Sequence, residues 1–293
     1  MVRGDVPRIA LGCAWVLTAL AAPWHVAADG RSTAVSLVLM AWGWLGWTAV
    51  AAGLLAPLPV SLTVIRCTVP LALAAAIAGD SLVAMATCAA ALVLMFDADL
   101  ADRMANGGAY GQETRFSLRT PVPHMAPAVV AWLVLAFTTV GGSLMTAASN
   151  YGVGLPIFLV GIAIAMRAPM HLHRLSRRWL VLVPAGMVVH DHLVLAETFM
   201  VRTSRIESVA AVDASDEDAD LTGGTVGRRL SVHMREADKV VLSPITARTL
   251  GTTEALHVKG FCVAPLKVDA VLSALSGSPS SAAAVDDSAA QHH

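Results

Sequence analysis

Apolar stretches long enough to cross a bilayer as helix recur through the first two thirds of this 293-residue chain, and they limit its fold more than any other feature. About 20 residues are needed per crossing, and six stretches qualify: 9–28, 33–56, 58–78, 81–96, 126–147 and 153–168. Short polar or Pro/Gly breaks separate them. The segment 81–96 is short for a crossing and follows 58–78 after only Gly79 and Asp80, so a tight hairpin, a shared tilt or a re-entrant pair all fit it. Composition agrees with a membrane bundle, with 56% hydrophobic and 14% charged residues. A net charge of -1 supplies no basic excess for nucleic acid. Cys13, Cys67, Cys88 and Cys262 are scattered without a paired spacing, which points to small core residues, with no disulfide framework or zinc site implied.

Arginine placement predicts orientation, because basic loops stay on the cytoplasmic side. Arg3 and Arg8 precede the first stretch, Arg103, Arg115 and Arg119 follow the fourth, and Arg167, Arg174, Arg177 and Arg178 follow the sixth. The expectation is a plasma (inner) membrane protein with both termini cytoplasmic. A second reading of the start is a secretory signal cleaved after Val26-Ala27-Ala28, against which Pro23, Trp24 and His25 read as an interfacial anchor of a retained helix.

After Arg167 charge becomes frequent and short alternating runs replace the long apolar ones. Strands are expected at 179–183, 187–190, 197–201, 206–212, 230–234, 239–242 and 257–263, with a turn at Pro184-Ala-Gly186 and an acidic loop at 213–220. Leu266, Val268, Val271, Leu272 and Leu275 then fall on one face of a closing helix over 265–275. The domains expected are 1–170, a transmembrane helical unit with a cytoplasmic loop at 97–125; 171–277, a small α+β unit; and 278–293, a disordered Ser/Ala tail.

The segment Leu175-Ser-Arg-Arg-Trp-Leu-Val-Leu-Val-Pro-Ala-Gly-Met-Val-Val-His190, followed by Thr203-Ser-Arg-Ile-Glu-Ser-Val209, resembles the bacterial pleckstrin-homology-like (PH-like) domains carried by membrane proteins. The resemblance implies a curved β-barrel closed by one C-terminal helix, and the acidic 213–220 insertion departs from it. Around Tyr110-Gly-Gln-Glu-Thr-Arg115-Phe-Ser-Leu-Arg119-Thr-Pro121 the membrane half is similar to multi-pass actinobacterial proteins of unassigned activity.

Ionisable groups within a span usually mark a site, and Arg66 is the one that stands out. It either snorkels to the cytoplasmic boundary or faces inward to bind an anionic headgroup or pair with Asp97 or Asp99. Asp97, Asp99 and Asp102 read as a solvated helix end, with a metal site for a phosphate-bearing lipid as the alternative. His171/His173 and His190/His192 form two H-x-H pairs, read as surface or capping groups against a four-imidazole metal site. Trp42, Trp44 and Trp47 fall near mid-span, where their indole N–H groups need partners, which points to a protein or lipid contact. Tyr110, Glu113, Arg115 and Arg119 lie in the longest loop, read as a docking strap; Arg174, Arg177 and Arg178 read as an anchor on anionic lipid.

No catalytic, metal or cofactor residues are assigned. The expected function is a non-enzymatic scaffold or accessory subunit whose PH-like domain binds other membrane or envelope proteins in envelope assembly or transport. The alternatives are a small transporter or lipid carrier working through Arg66 and the tryptophans, and a metal-dependent lipid-phosphate enzyme using the three aspartates.

Overall fold

A computed structural model describes residues 5–213, 218–249, 251 and 255–276. The tail expected at 278–293 and part of the acidic loop at 213–220 fall outside the described residues. The chain divides into two compact units, one of Met1–Gly108 with His124–Ser176, the other of Ala109–Pro123 with Arg177–His293.

The first unit is helical: α1 (Asp5–Ala21), α2 (Pro23–Ala28), α3 (Thr33–Leu55), α4 (Pro59–Ala78), α5 (Leu82–Leu94), α6 (Ala98–Asn106), α7 (Val122–Ala136), α8 (Gly142–Ala147), α9 (Tyr151–Ala165) and α10 (Ala168–Ser176). Four stretches, Asp5–Ala28, Thr33–Leu55, Pro59–Ala78 and Val122–Ala147, are long and apolar enough to cross a membrane. Two bent pairs raise the number to six if each is one span: α5 with α6 at 62°, and α9 with α10 at 43°. Only 6% of the most apolar window is buried within the protein in Thr33–Leu55 and in Val122–Ala147, so those helices turn their apolar surface outward, as lipid contact requires.

Local chemistry explains the breaks. Ala22 adopts a left-handed conformation (φ 43°) and Pro23 opens α2, which kinks the first span. The segment expected at 81–96 forms a helix of 13 residues, too short to cross alone, because Asp97 starts a new helix. Its Oδ1 accepts the backbone N–H groups of Asp99 (2.8 Å) and Leu100 (3.2 Å), an N-cap that turns α6 away.

A π-helical turn, Phe137–Gly141, joins α7 to α8, and α9 packs against it through glycines. A Cβ on Gly142 would lie 2.6 Å from the Phe158 nitrogen, and one on Gly161 2.6 Å from the Thr138 carbonyl carbon. The two helices touch backbone to backbone.

The second unit holds two four-stranded sheets. In the first, β1 (Thr114–Ser117), β2 (Arg178–Val183), β3 (Gly186–Asp191) and β4 (Phe199–Arg202) run as an antiparallel meander. Gly186 faces Arg202 so closely that a Cβ would sit 2.9 Å from the Arg202 Cα. In the second, the order is β5 (Ile206–Val212), β7 (Arg229–Val241), β8 (Ala255–Val263) and β6 (Ala219–Asp220), with β6 parallel to β8. Bridges Leu118↔Pro265 and Leu195↔Leu242 tie the sheets together. The helix α11 (Pro244–Thr249) follows β7, and α12 (Val268–Ser276) packs Val268 and Val271 into the core beside Leu180, Val232 and Phe261. Burying one such Leu or Phe fully contributes about 1.5–3 kcal/mol.

Two expectations are corrected here. The separate strands at 230–234 and 239–242 are one strand, β7, which stays paired to β8 across a bulge between His233 and Asp238. The loop at 97–125 contains a strand: Thr114–Ser117 pairs with β2 and turns Phe116 into the core. Its residues thereby join the second unit.

Candidate functional site

Among the described residues, the second unit carries the densest polar construction. Arg178 and Asp191 sit opposite each other on β2 and β3, 2% and 1% exposed. Arg178 donates from Nε to Asp191 Oδ1 (2.8 Å) and from Nη2 to Oδ2 (2.6 Å), a bidentate pair. Its Nη1 donates to the Arg119 carbonyl. Asp191 Oδ1 also accepts from the Leu193 N–H at 3.1 Å. All three guanidinium nitrogens donate within the second unit and the side chain is 1% exposed, so the reading of Arg178 as a lipid anchor is corrected. Arg174 and Arg177 are exposed and keep their cations at the surface.

Beside this pair, three strands align an aromatic stack. The Arg115 guanidinium lies 5.1 Å from the Trp179 ring centroid, and His190 stacks on Trp179 at 5.3 Å with an interplanar angle of 11°. His192 meets His190 edge-on at 4.4 Å. Glu113 pairs with Arg115 at 2.6 Å, and its Oε1 accepts the Tyr110 N–H at 2.7 Å. The Tyr110 hydrogen bond, with that of Arg115 and its charge, holds the Glu113 carboxyl below its ordinary range against the opposing effect of burial. The Tyr110 side chain itself is exposed. Arg119 donates to the Val226 carbonyl at 2.9 Å.

Burial first, then His192, Arg177 and Arg115, lower the His190 pKa from 6.5 to about 4, against a smaller raising effect of Asp191. The unfolded chain therefore binds this proton more readily than the native one. The stability involved is intact above 6.5 and declines as pH falls towards 4. A His190→Gln variant should lose less thermal stability between pH 7 and about pH 4.5 than the parent, measured by melting at both values. An equal loss would show that His190 charges freely in the native state.

The two H-x-H pairs lie in different units, and His173 Nδ1 sits 2.9 Å from the Thr63 hydroxyl. Among the described residues no group of three or more His, Cys, Asp or Glu is arranged to hold a metal. Burial, then Asp218 and Asp220, push the Cys262 thiol up to about 11, so it stays protonated at neutral pH.

A cavity of about 630 Å³ opens between the two sheets, lined by Leu182, Val183 and Met187 from one, Ile206 and Val209 of β5 from the other, and Leu272 and Leu275 of α12. Among the described residues β5 pairs only with β7 and forms one edge of its sheet. Sequence reasoning did not find this groove, since its walls come from segments as far apart as Gln112 and Ser276.

In the helical unit the indole N–H groups of the mid-span tryptophans find acceptors within the chain, while the rings of Trp42 and Trp44 remain 37% and 41% exposed. Trp42 Nε1 donates to Ser143 Oγ (3.0 Å), Trp44 Nε1 to His25 Nε2 (3.2 Å), and Trp47 Nε1 to the Trp15 carbonyl (3.0 Å). Trp15 returns the bond to the Trp47 carbonyl at 3.0 Å. Arg66 lies over the Phe96 ring at 5.5 Å, and Asp97 caps α6; of the alternatives for Arg66, an ion pair with Asp97 is absent among the described residues.

No protein-family model, curated protein or solved structure matches this chain.

Proposed function

We propose that the chain is a non-enzymatic scaffold or accessory subunit of the plasma membrane, with both termini and the sheet-bearing unit in the cytoplasm. The single observation that carries the reading is the apolar groove beside the β5 edge. An open strand edge offers a row of backbone N–H and C=O groups, and neighbouring apolar pockets receive alternate side chains of an added strand. The groove along Ile206, Val209, Leu272 and Leu275 suits an extended apolar segment of a partner protein.

The barrel is read as PH-like. Two sheets tied at Leu118↔Pro265 and Leu195↔Leu242, with α12 packed on their core, support that plan. The cytoplasmic placement rests on the arginine bias, including the exposed Arg174 and Arg177. Envelope assembly or transport is the setting proposed for the partner.

The test is isolation of the full chain from its native membrane in mild detergent, with mass spectrometry of the proteins that accompany it. A partner held by the parent and by Glu236→Ala should fall by about tenfold or more with Val209→Glu, which sets a charge in the groove. Equal recovery in all three would overturn the proposal.

A further inference from the structure

Arg66 stands seven residues into α4, about 10 Å along the helix axis at 1.5 Å per residue. Its guanidinium is charged at any physiological pH, and a cation at that depth needs an anion or an aqueous escape. Among the described residues it forms no ion pair. Its Nε is buried without a hydrogen-bond partner, whereas its two Nη atoms are not among the buried unpaired atoms, so the half-buried group turns the outer end of its fork towards the surface. Phe96, at the 62° break between α5 and α6, covers one guanidinium face at 5.5 Å. A ring satisfies the face of the cation and leaves the N–H donors in its plane without acceptors.

Helical side chains lean towards the helix start, so the Arg66 fork reaches back to the level of Thr63, one turn earlier on the same α4 face. Thr63 Oγ1 lies 2.9 Å from His173 Nδ1, a polar pair one helical turn before Arg66 in α4. A planar fork with parallel donors matches two oxygens of a phosphate. Phe96 is 62% exposed, and Leu58 and Val60 at the Pro59 end of α4 are 40% and 51% exposed, an apolar surface for acyl chains.

We propose that Arg66 receives the phosphate of an anionic phospholipid at the Pro59 end of α4. Free inorganic phosphate is the other source of the same chemistry. The inference rests on α4 crossing the membrane and is independent of partner capture at β5.

The experiment uses the full chain in nanodiscs of phosphatidylcholine, with and without phosphatidylglycerol, read by thermal unfolding and native mass spectrometry. The parent should melt higher with phosphatidylglycerol and retain that lipid about tenfold or more over Arg66→Gln, with Arg66→Lys between them. Arg167→Gln, which removes an exposed cation elsewhere, should keep the effect. Equal retention by the parent and Arg66→Gln would overturn the proposal. So would stabilisation of phosphatidylcholine discs by inorganic phosphate with no phosphatidylglycerol preference, which would assign the site to the free ion. If Arg66→Gln does not fold, the parent alone decides: a melting midpoint indifferent to phosphatidylglycerol sinks the idea.

Discussion

Asp191→Ala should cost the sheet-bearing unit about 3–5 kcal/mol, because it leaves the Arg178 cation buried and unpaired. Against the 5–15 kcal/mol that typically holds a domain, that is a large share. The loss comes chiefly from the desolvated charge left behind, so its origin can be separated from the value of the pair. A double replacement, Arg178→Met with Asp191→Leu, removes both charges and should be much milder. Hydrogen-exchange protection of β2 and β3 amides in the full chain reports both results. Protection unchanged by Asp191→Ala would mean that the guanidinium reaches water or another acceptor.

Gly161→Val is expected to disrupt the packing of α9 on the π-helical turn. Its Cβ would stand 2.6 Å from the Thr138 carbonyl carbon, where the neighbour is backbone and cannot rotate away. Overpacking of this kind costs about 1–3 kcal/mol, and more where two helices must separate. Gly12→Val provides the control, since nothing lies within 4 Å of the Cβ it would carry. Unfolding of helicity by titrated SDS should begin earlier for Gly161→Val and stay near the parent for Gly12→Val. Coincident curves for all three would contradict the close approach.

The apolar stretches were legible because hydrocarbon demands length and apolarity, which single residues reveal directly. Five of the seven expected strand runs overlap separate strands of their own, since short runs of strand-forming residues bounded by turn residues are local features. The strand at Thr114–Ser117 was not read, although Thr-Arg-Phe-Ser-Leu alternates, because its partner β2 lies more than 60 residues later in the chain. Arg178 was misread for a related reason: a run of arginines beside a membrane segment resembles an anchor, and only the register places Asp191 opposite one of them. The bond from Trp42 to Ser143 spans 101 residues and was equally beyond local pattern. Arg66 needed no partner to be noticed, because a permanent charge within an apolar run is visible in one dimension.

The central claim is that a partner lies along β5, and a photo-crosslinking residue placed at position 209 in living cells tests it most directly. The account predicts crosslinks from position 209 to one discrete protein, with none to it from position 236, whose side chain is 80% exposed in β7. Equal crosslinking to the same protein from both positions, or none from 209 while the chain still recovers its partner, would contradict it.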